Sequence, residues 1–288
     1  MRFIRRKRFY RRKTDALYLS EQLCYEVARI IQPMLAELKW KGKPLQIDLA
    51  TGRSLAIPLV PGGPQPAFFA ATSMQSEPLE NGDFVGDVRQ GGSCNAEILH
   101  WAPHCHGTHT EGVGHILEDR VSVLDSIDTL PGLAYVFTVN APNGEISRTA
   151  IERNAGEIFT DVTALILRTQ PNPESKQWRD YTVEPDYPVL TAEAMQWLSR
   201  LPLKHLLLDT PSLDSMSNPD LSNHRVWWGE GLEDHGLGFN PQSRSITEMI
   251  FVADDIPDGE YWLHIELSPL VSDATPSRPM IFPVTRGR

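Results

Sequence analysis

His100-Trp101-Ala102-Pro103-His104-Cys105-His106-Gly107-Thr108-His109-Thr110-Glu111-Gly112-Val113-Gly114-His115 carries five of the chain's nine histidines in sixteen residues, with a cysteine and a glutamate among them. Imidazole nitrogen and carboxylate oxygen form a borderline-hard ligand set suited to Zn²⁺, Mn²⁺ or Fe²⁺. A short tract this rich in His reads as a metal site. The alternative, surface and core histidines gathered by chance, gives no reason for such density. His109, Glu111 and His115 follow one another at offsets of two and four. Gly107, Gly112 and Gly114 argue against a helical His-Glu-x-x-His arrangement. The ligands are therefore expected on a loop leaving a strand. Gly107 would supply the turn, and Thr108 would hydrogen-bond and orient a neighbouring ligand.

The segment Cys105-His106-Gly107-Thr108-His109-Thr110-Glu111-Gly112-Val113-Gly114-His115 resembles His-x-Gly-Thr-His-x-Asp-x-Pro-x-His, the signature of the cyclase-like metal hydrolases, which include bacterial kynurenine formamidase and isatin hydrolase. Gly107, Thr108, His109 and His115 match, while Cys105, Glu111 and Val113 stand where His, Asp and Pro belong. Ser54–Pro66 resembles the family's pocket-lining strand and loop, and Leu206–Asp214 its later buried strand and turn. Asn223-His224 and Thr247-Glu248-Met249 resemble the downstream His and Glu that complete the metal site. These two stand 24 residues apart here, so the loop between them is enlarged. The resemblance covers about residues 45–285. It implies a swivelling β/β/α fold with a mixed sheet, of the α/β class.

Composition bounds the rest. At 288 residues, 41% hydrophobic and 22% charged, the chain fits one soluble globular domain with a real core. Cys24, Cys94 and Cys105 are odd in number and widely spaced, so no disulfide framework is expected and a reducing, cytoplasmic setting fits. No apolar run reaches the length of a membrane span. Residues 1–13 hold eight Lys or Arg and no acid, leaving the remainder at −18 within a net charge of −10. A basic arm can bind nucleic acid or anionic lipid, but an acidic body argues against nucleic acid as the partner. The arm lacks the apolar stretch of a secretory signal.

Three parts are expected: a basic flexible arm over 1–13, a helical extension over 14–44, and the hydrolase domain over 45–288. In the extension, Leu23, Val27, Ile30, Ile31, Met34 and Leu38 fall at helical spacing within Ser20–Trp40, interrupted by Pro33. Short apolar runs bounded by Gly, Pro and Asp predict strands over Gln46–Leu49, Ser54–Leu59, Cys94–Leu99, Tyr135–Asn140, Thr163–Arg168, His205–Asp209, Ile246–Val252, Tyr261–Leu267 and Pro279–Pro283. Helices are predicted around Ser122–Ile127 and over Thr191–Leu201, with Thr191 as N-cap.

The expected function is metal-dependent hydrolysis of a C–N amide bond in a small, possibly aromatic substrate. N-formylkynurenine hydrolysis is the nearest named activity that the resemblance implies. A dehydratase or cyclase on the same scaffold, or a non-catalytic binding member, are the alternatives. One or two divalent ions, Zn²⁺ or Mn²⁺, would be held by His104, His109, Glu111, His224 and Glu248. His115 would be the catalytic acid/base, with Glu111 shared between ion and chemistry. At the first ligand position the motif register points to Cys105 and side-chain chemistry to a histidine; His104 is preferred over His106. Glu230, Glu233, Asp234 and His235 would form a lid or wall. Trp101, Trp227, Trp228, Phe68 and Phe69 are candidates for stacking on substrate, with core packing as the alternative. A homo-oligomer is expected, with neither nucleic acid nor membrane as partner.

Overall fold

The computed structural model describes residues 34–127, 131–155, 159, 161–231 and 237–287. Its strands are β1 (Leu35–Trp40), β2 (Lys43–Asp48), β3 (His109–Glu111), β4 (Gly132–Asn140), β5 (Ala164–Gln170), β6 (His205–Leu208), β7 (Ser245–Glu248), β8 (Gly259–Leu267) and β9 (Ala274–Arg286). The helices are α1 (Val123–Ser126), α2 (Arg148–Ala155), α3 (Ala192–Leu198) and α4 (Ser222–Trp227), joined by 3₁₀ turns and shorter strand pairs. Strands β4, β5, β6 and β7 run parallel in that order. The antiparallel strands β3, β9 and β8 complete a ring from β7 back to β4. The result is one mixed α/β domain built on a closed seven-stranded barrel, in the α/β class that the family resemblance implied.

Parallel strands buried on both faces need continuous apolar runs, and Ala164-Leu165-Ile166-Leu167 supplies one. Alternation then sorts the side chains. Ala164, Ile166, Val136, Leu207, Leu263, Ile265 and Ile281 form the barrel interior with Leu55. Leu165, Leu167, Phe137, Leu206, Leu208 and Ile246 face outward onto Ile151 of α2, Met195 and Leu198 of α3 and Trp227 of α4. Each such Leu or Ile contributes roughly 1.5–3 kcal/mol on burial.

The long strand β9 does three jobs along its length. Its first residues pair with β3, its middle with β8, and Val284–Arg286 with β2. Here the sequence expectation needs correcting. Residues 34–44 are not helix: β1 and β2 form a hairpin whose two-residue turn, Lys41-Gly42, has positive φ at both positions, the conformation that matches strand twist. Leu38 falls at helical spacing from Met34 but also at a period of two with Trp40, and pairing with β2, itself held on β9, selects the strand. Strand structure is thus present from Leu35, ahead of the expected Leu45, and the arm with the rest of the expected helix lies outside the described residues.

Other boundaries also move. Of the expected Ser54–Leu59 strand only Ser54, with Arg53 before it, pairs with β9, followed by one bridge from Ala56 to Ile250; Pro58 has no donor to continue the ladder. Glu97–His100 pairs with Gln75–Pro78 in a hairpin outside the barrel. Strand β7 stops at Glu248 because Met249 turns to φ +53°. Thr191 caps α3 as expected, its hydroxyl accepting from the Ala194 N–H. Cys94 and Cys105 are free thiols, and no helix among the described residues is long and apolar enough to cross a membrane.

Inside the barrel Thr110, at the centre of β3, donates to Ser277 Oγ at 2.8 Å and shares a 2.8 Å hydrogen bond with Thr247 Oγ1. Thr110→Val keeps the shape but deprives two buried hydroxyls of a partner. It should lower stability by about 1–3 kcal/mol, read as a shifted midpoint in urea unfolding; an unchanged midpoint would show the network to be dispensable.

Candidate metal centre

Strand β3 is only three residues long, yet it places two ligand-type side chains on one face. His109 and Glu111 point outward while Thr110 points inward. Across the ladder, His109 is opposite Glu248 of β7, and Glu111 is opposite Ile246. All three ligand-type residues are buried, His109 and Glu111 with no solvent exposure and Glu248 with 3%. The expected loop is therefore replaced by barrel strands at this point.

The turn before β3 sets the His109 ring. Gly107 adopts φ +70°, a conformation that disfavours a side chain, and a Cβ there would also oblige Leu59 Cδ2, 2.6 Å away, to shift. The Gly107 carbonyl accepts from His109 Nδ1 at 3.0 Å, which fixes the ring with Nε2 toward the centre. Thr108 accepts from the Ile57 N–H and donates to the Met249 carbonyl. It thus braces the backbone beside Glu248 rather than touching a ligand-type side chain.

His224 arrives on α4, a helix that the sequence reading did not foresee. Asp214 anchors it: one carboxylate oxygen accepts from the Asn223 N–H at 3.0 Å, and the other from the His224 N–H and from His224 Nδ1 at 2.6 Å. His224 Nε2 is thereby aimed at Glu111 Oε1 and Glu248 Oε1, 3.1 and 3.5 Å away. His109 Nε2 lies 3.4 Å from Glu248 Oε2. Glu248 Oε1 also accepts from the Leu213 N–H at 2.7 Å.

Of the three candidates for the first position, the 3₁₀ turn Pro103–Cys105 turns His104 toward Glu111. His104 Nδ1 sits 3.0 Å from Glu111 Oε2. His106 points away, with Nε2 donating to the Thr72 carbonyl and Nδ1 accepting from the Ala102 N–H. Cys105 lines the neighbouring cavity, and burial pushes its thiol up, away from the thiolate a metal would need. His115 joins from the turn after β3, its Nε2 3.8 Å from Glu111 Oε2 and its ring stacked 4.2 Å from that of His104. His100 stays on the outlying hairpin, paired with Glu77.

Burial opposes every charge here, and the opposite charges overcome it. Glu111 is raised by burial but held well below the usual carboxylate range by His115, His104 and His224. Burial and Glu111 both raise Glu248, yet His109 and His224 bring it down. Burial lowers His104, but Asp273 and Glu111 push it up to about 10. His224 is likewise driven well above its ordinary value by Asp214, Glu111 and Glu248 against burial.

At the centre three buried atoms have no well-formed hydrogen bond: His109 Nε2 and both oxygens of Glu111. Such buried polar atoms are normally satisfied. His104, Glu111 and His115 form one group with mutually facing ligand atoms within 4.8 Å, and His109, Glu111 and Glu248 form a second. The donor set, nitrogen and carboxylate oxygen, fits a borderline-hard divalent cation.

Beside this centre lies a cavity of about 380 Å³. His104, His115, His224 and Glu248 contribute its polar lining, and Phe68, Phe69, Met216, Pro219 and Leu221 its apolar lining. Trp227 and Trp228 are core residues, with indole N–H groups donating to the Ser245 and Arg244 carbonyls. In the enlarged loop Glu230 pairs with Arg225, while Glu233, Asp234 and His235 lie outside the described residues. Sequence reasoning missed Asp214 and Asp273 as supports of the histidines. Asp214 ends the quoted Leu206–Asp214 segment and was legible only as a turn; nothing local marks Asp273.

Comparison with known proteins agrees with this architecture. Residues 47–215 match a family model described as putative cyclase. Kynurenine formamidase from Bacillus cytotoxicus is 26% identical over 197 residues, covering 68% of this chain and 83% of that protein. A structure described as a predicted metal-dependent hydrolase from Bacillus stearothermophilus superposes with a TM-score of 0.55 at 16% identity, covering 81% of this chain and 98% of the other. An isatin hydrolase bound to the product analogue thioisatinate gives 0.56 at 11% identity over 96% and 100% of the two chains. At these identities the solved structures speak to the fold, and the family rests on the match to more than half of the sequence: the chain belongs to the putative cyclase family.

Proposed function

We propose that this protein is a divalent-metal-dependent hydrolase that cleaves a C–N amide bond in a small substrate, with kynurenine formamidase-like chemistry. The observation that carries this reading is the set of buried ligand-type atoms on β3, His109 Nε2 and both Glu111 oxygens, which face Glu248, His224 and His104 at 3.0–3.4 Å without a well-formed hydrogen bond. His104, His109, Glu111, His224 and Glu248 would hold Zn²⁺ or Mn²⁺, with Glu111 common to two groups and able to serve one ion or two. When bound, such an ion lowers the pKa of its water to about 7 and polarises a carbonyl oxygen.

The chain's own groups do the remainder. Glu111 and Glu248 supply negative charge in a dry setting where it attracts a cation strongly. Asp214 holds the His224 ring in orientation through Nδ1. His115 is partly exposed, its side chain at 24%, and lines the cavity with Nε2 available. It is placed to pass a proton to a leaving nitrogen. Phe68 and Phe69, with ring centroids 6.0 Å apart, offer an aromatic wall to the substrate's body.

Chelation should abolish turnover of N-formylkynurenine, and Zn²⁺ or Mn²⁺ should restore it; full activity in protein shown metal-free by elemental analysis would overturn the reading. Glu248→Gln removes charge and keeps shape, and should weaken metal binding about 10–100-fold. His115→Gln should retain metal while kcat falls about 10²–10⁴-fold; an undiminished kcat would remove His115 from the chemistry. The metal-free centre also has a proton signature. His104 and His224 both titrate above their ordinary range, so at neutral pH they hold protons that a cation must displace. Zinc binding at pH 7 should therefore release protons, seen by calorimetry in buffers of different ionisation enthalpy, and affinity should fall as pH falls. Binding without proton release would contradict the ligand set.

A further inference from the structure

Asp273 lies outside the His-rich segment and next to the first residue of β9, yet its carboxylate meets two of that segment's histidines. Its Oδ2 is 2.9 Å from His104 Nε2 and 3.3 Å from His115 Nδ1. Its Oδ1 accepts from the Ser272 hydroxyl at 3.1 Å. The backbone holds it in place, since the Gly112 N–H donates to the Asp273 carbonyl at 3.0 Å and β9 pairs directly with β3. The carboxylate is largely buried, with 15% side-chain exposure, and it is wedged against two rings only 4.2 Å apart.

An imidazole that donates one N–H to a carboxylate offers its other nitrogen as a lone pair. Which nitrogen is offered depends on which one the carboxylate takes. At His104 Asp273 takes Nε2, leaving Nδ1, the atom that faces Glu111. At His115 it takes Nδ1, leaving Nε2, which points toward Glu111 and the cavity side. Opposite ring atoms are thus selected in two neighbouring histidines by one oxygen. Asp214 acts the same way on His224, through a separate carboxylate.

We propose that Asp273 is a positioning residue which sets the ring orientation and tautomer of both His104 and His115, so that His104 binds the cation through Nδ1 and His115 keeps Nε2 free for proton transfer. This rests on the metal-dependent reading above and extends it to a residue that touches neither ion nor substrate. It also explains how the chain uses His104 in place of the adjacent Cys105. The 3₁₀ turn presents the histidine, and a carboxylate from the far end of the sequence holds it there.

The test uses the full chain labelled with ¹⁵N-histidine and loaded with ¹¹³Cd²⁺. Cadmium coupling should appear at Nδ1 of His104, with Nε2 carrying a proton, and His115 should be protonated at Nδ1. In Asp273→Asn and Asp273→Ala the His104 coupling should weaken or divide between the two nitrogens. Zinc affinity, measured against a chromophoric chelator, should fall about 10–100-fold, and at saturating metal kcat should drop with KM little changed. Asp273→Glu should recover most of the affinity. Coupling through Nε2 of His104 in the unsubstituted protein, or equal affinity in Asp273→Ala, overturns the proposal. The first measurement needs no variant, so it decides even where a variant fails to fold. A protein that takes up no cadmium or zinc at all overturns the metal reading and this inference together. Metal uptake with unaltered Asp273 variants overturns the inference alone.

Discussion

Strand β3 is the constraint on which the centre depends. His109–Glu111 closes the barrel between β7 and β9, so its backbone is paired on both edges and cannot shift register. A slip by one residue would turn His109 and Glu111 into the apolar interior and Thr110 out toward the helices. Hydrogen bonds from Thr110 to Thr247 and Ser277 on the inner face oppose that slip. The ligand-type side chains therefore inherit the rigidity of the barrel, which a loop of the same sequence would not provide.

Around that strand, charge is arranged in shells. Glu111 and Glu248 form the buried acidic pair, and four histidines, His104, His109, His115 and His224, approach them. Behind the rings stand further acceptors: the Gly107 carbonyl, Asp214 and Asp273. Each ring gives one nitrogen to an outer acceptor, Asp273 meeting both His104 and His115, and turns its other nitrogen inward. Two carboxylates this close would repel strongly in a dry site, and Glu111 does raise Glu248. Protonated imidazoles offset that repulsion in the metal-free protein, and a divalent cation would replace those protons.

The elements near the centre also explain the cavity's mixed chemistry. The chain between β6 and α4 carries Asp214, then Met216, Pro219 and Leu221, so the residue that orients His224 and the apolar wall come from one segment. Leu221 at φ +51° turns this segment into α4. Cavity-lining and ring-orienting positions are therefore carried by one stretch, residues 210–224.

The density of His, Cys and Glu between His100 and His115 was enough to locate the centre, because ligand-type side chains rarely gather without a shared partner. The apolar runs gave most barrel strands, since a strand buried on both faces must be apolar throughout. Local pattern failed where two periods fit the same stretch: Leu38 stands at helical spacing from Met34 and at strand spacing from Trp40, and only pairing with β2, held in turn on β9, decides. It failed again at Ile246–Val252, where the positive φ of Met249 ends the strand one residue after Glu248. His104, Cys105 and His106 were close to equivalent as sequence. The 3₁₀ turn, Thr72 and Asp273 separate them, and those last two contacts come from distant parts of the chain. Residue chemistry is a local property and is legible in one dimension; which ring nitrogen faces the centre depends on acceptors that only folding brings within 3 Å.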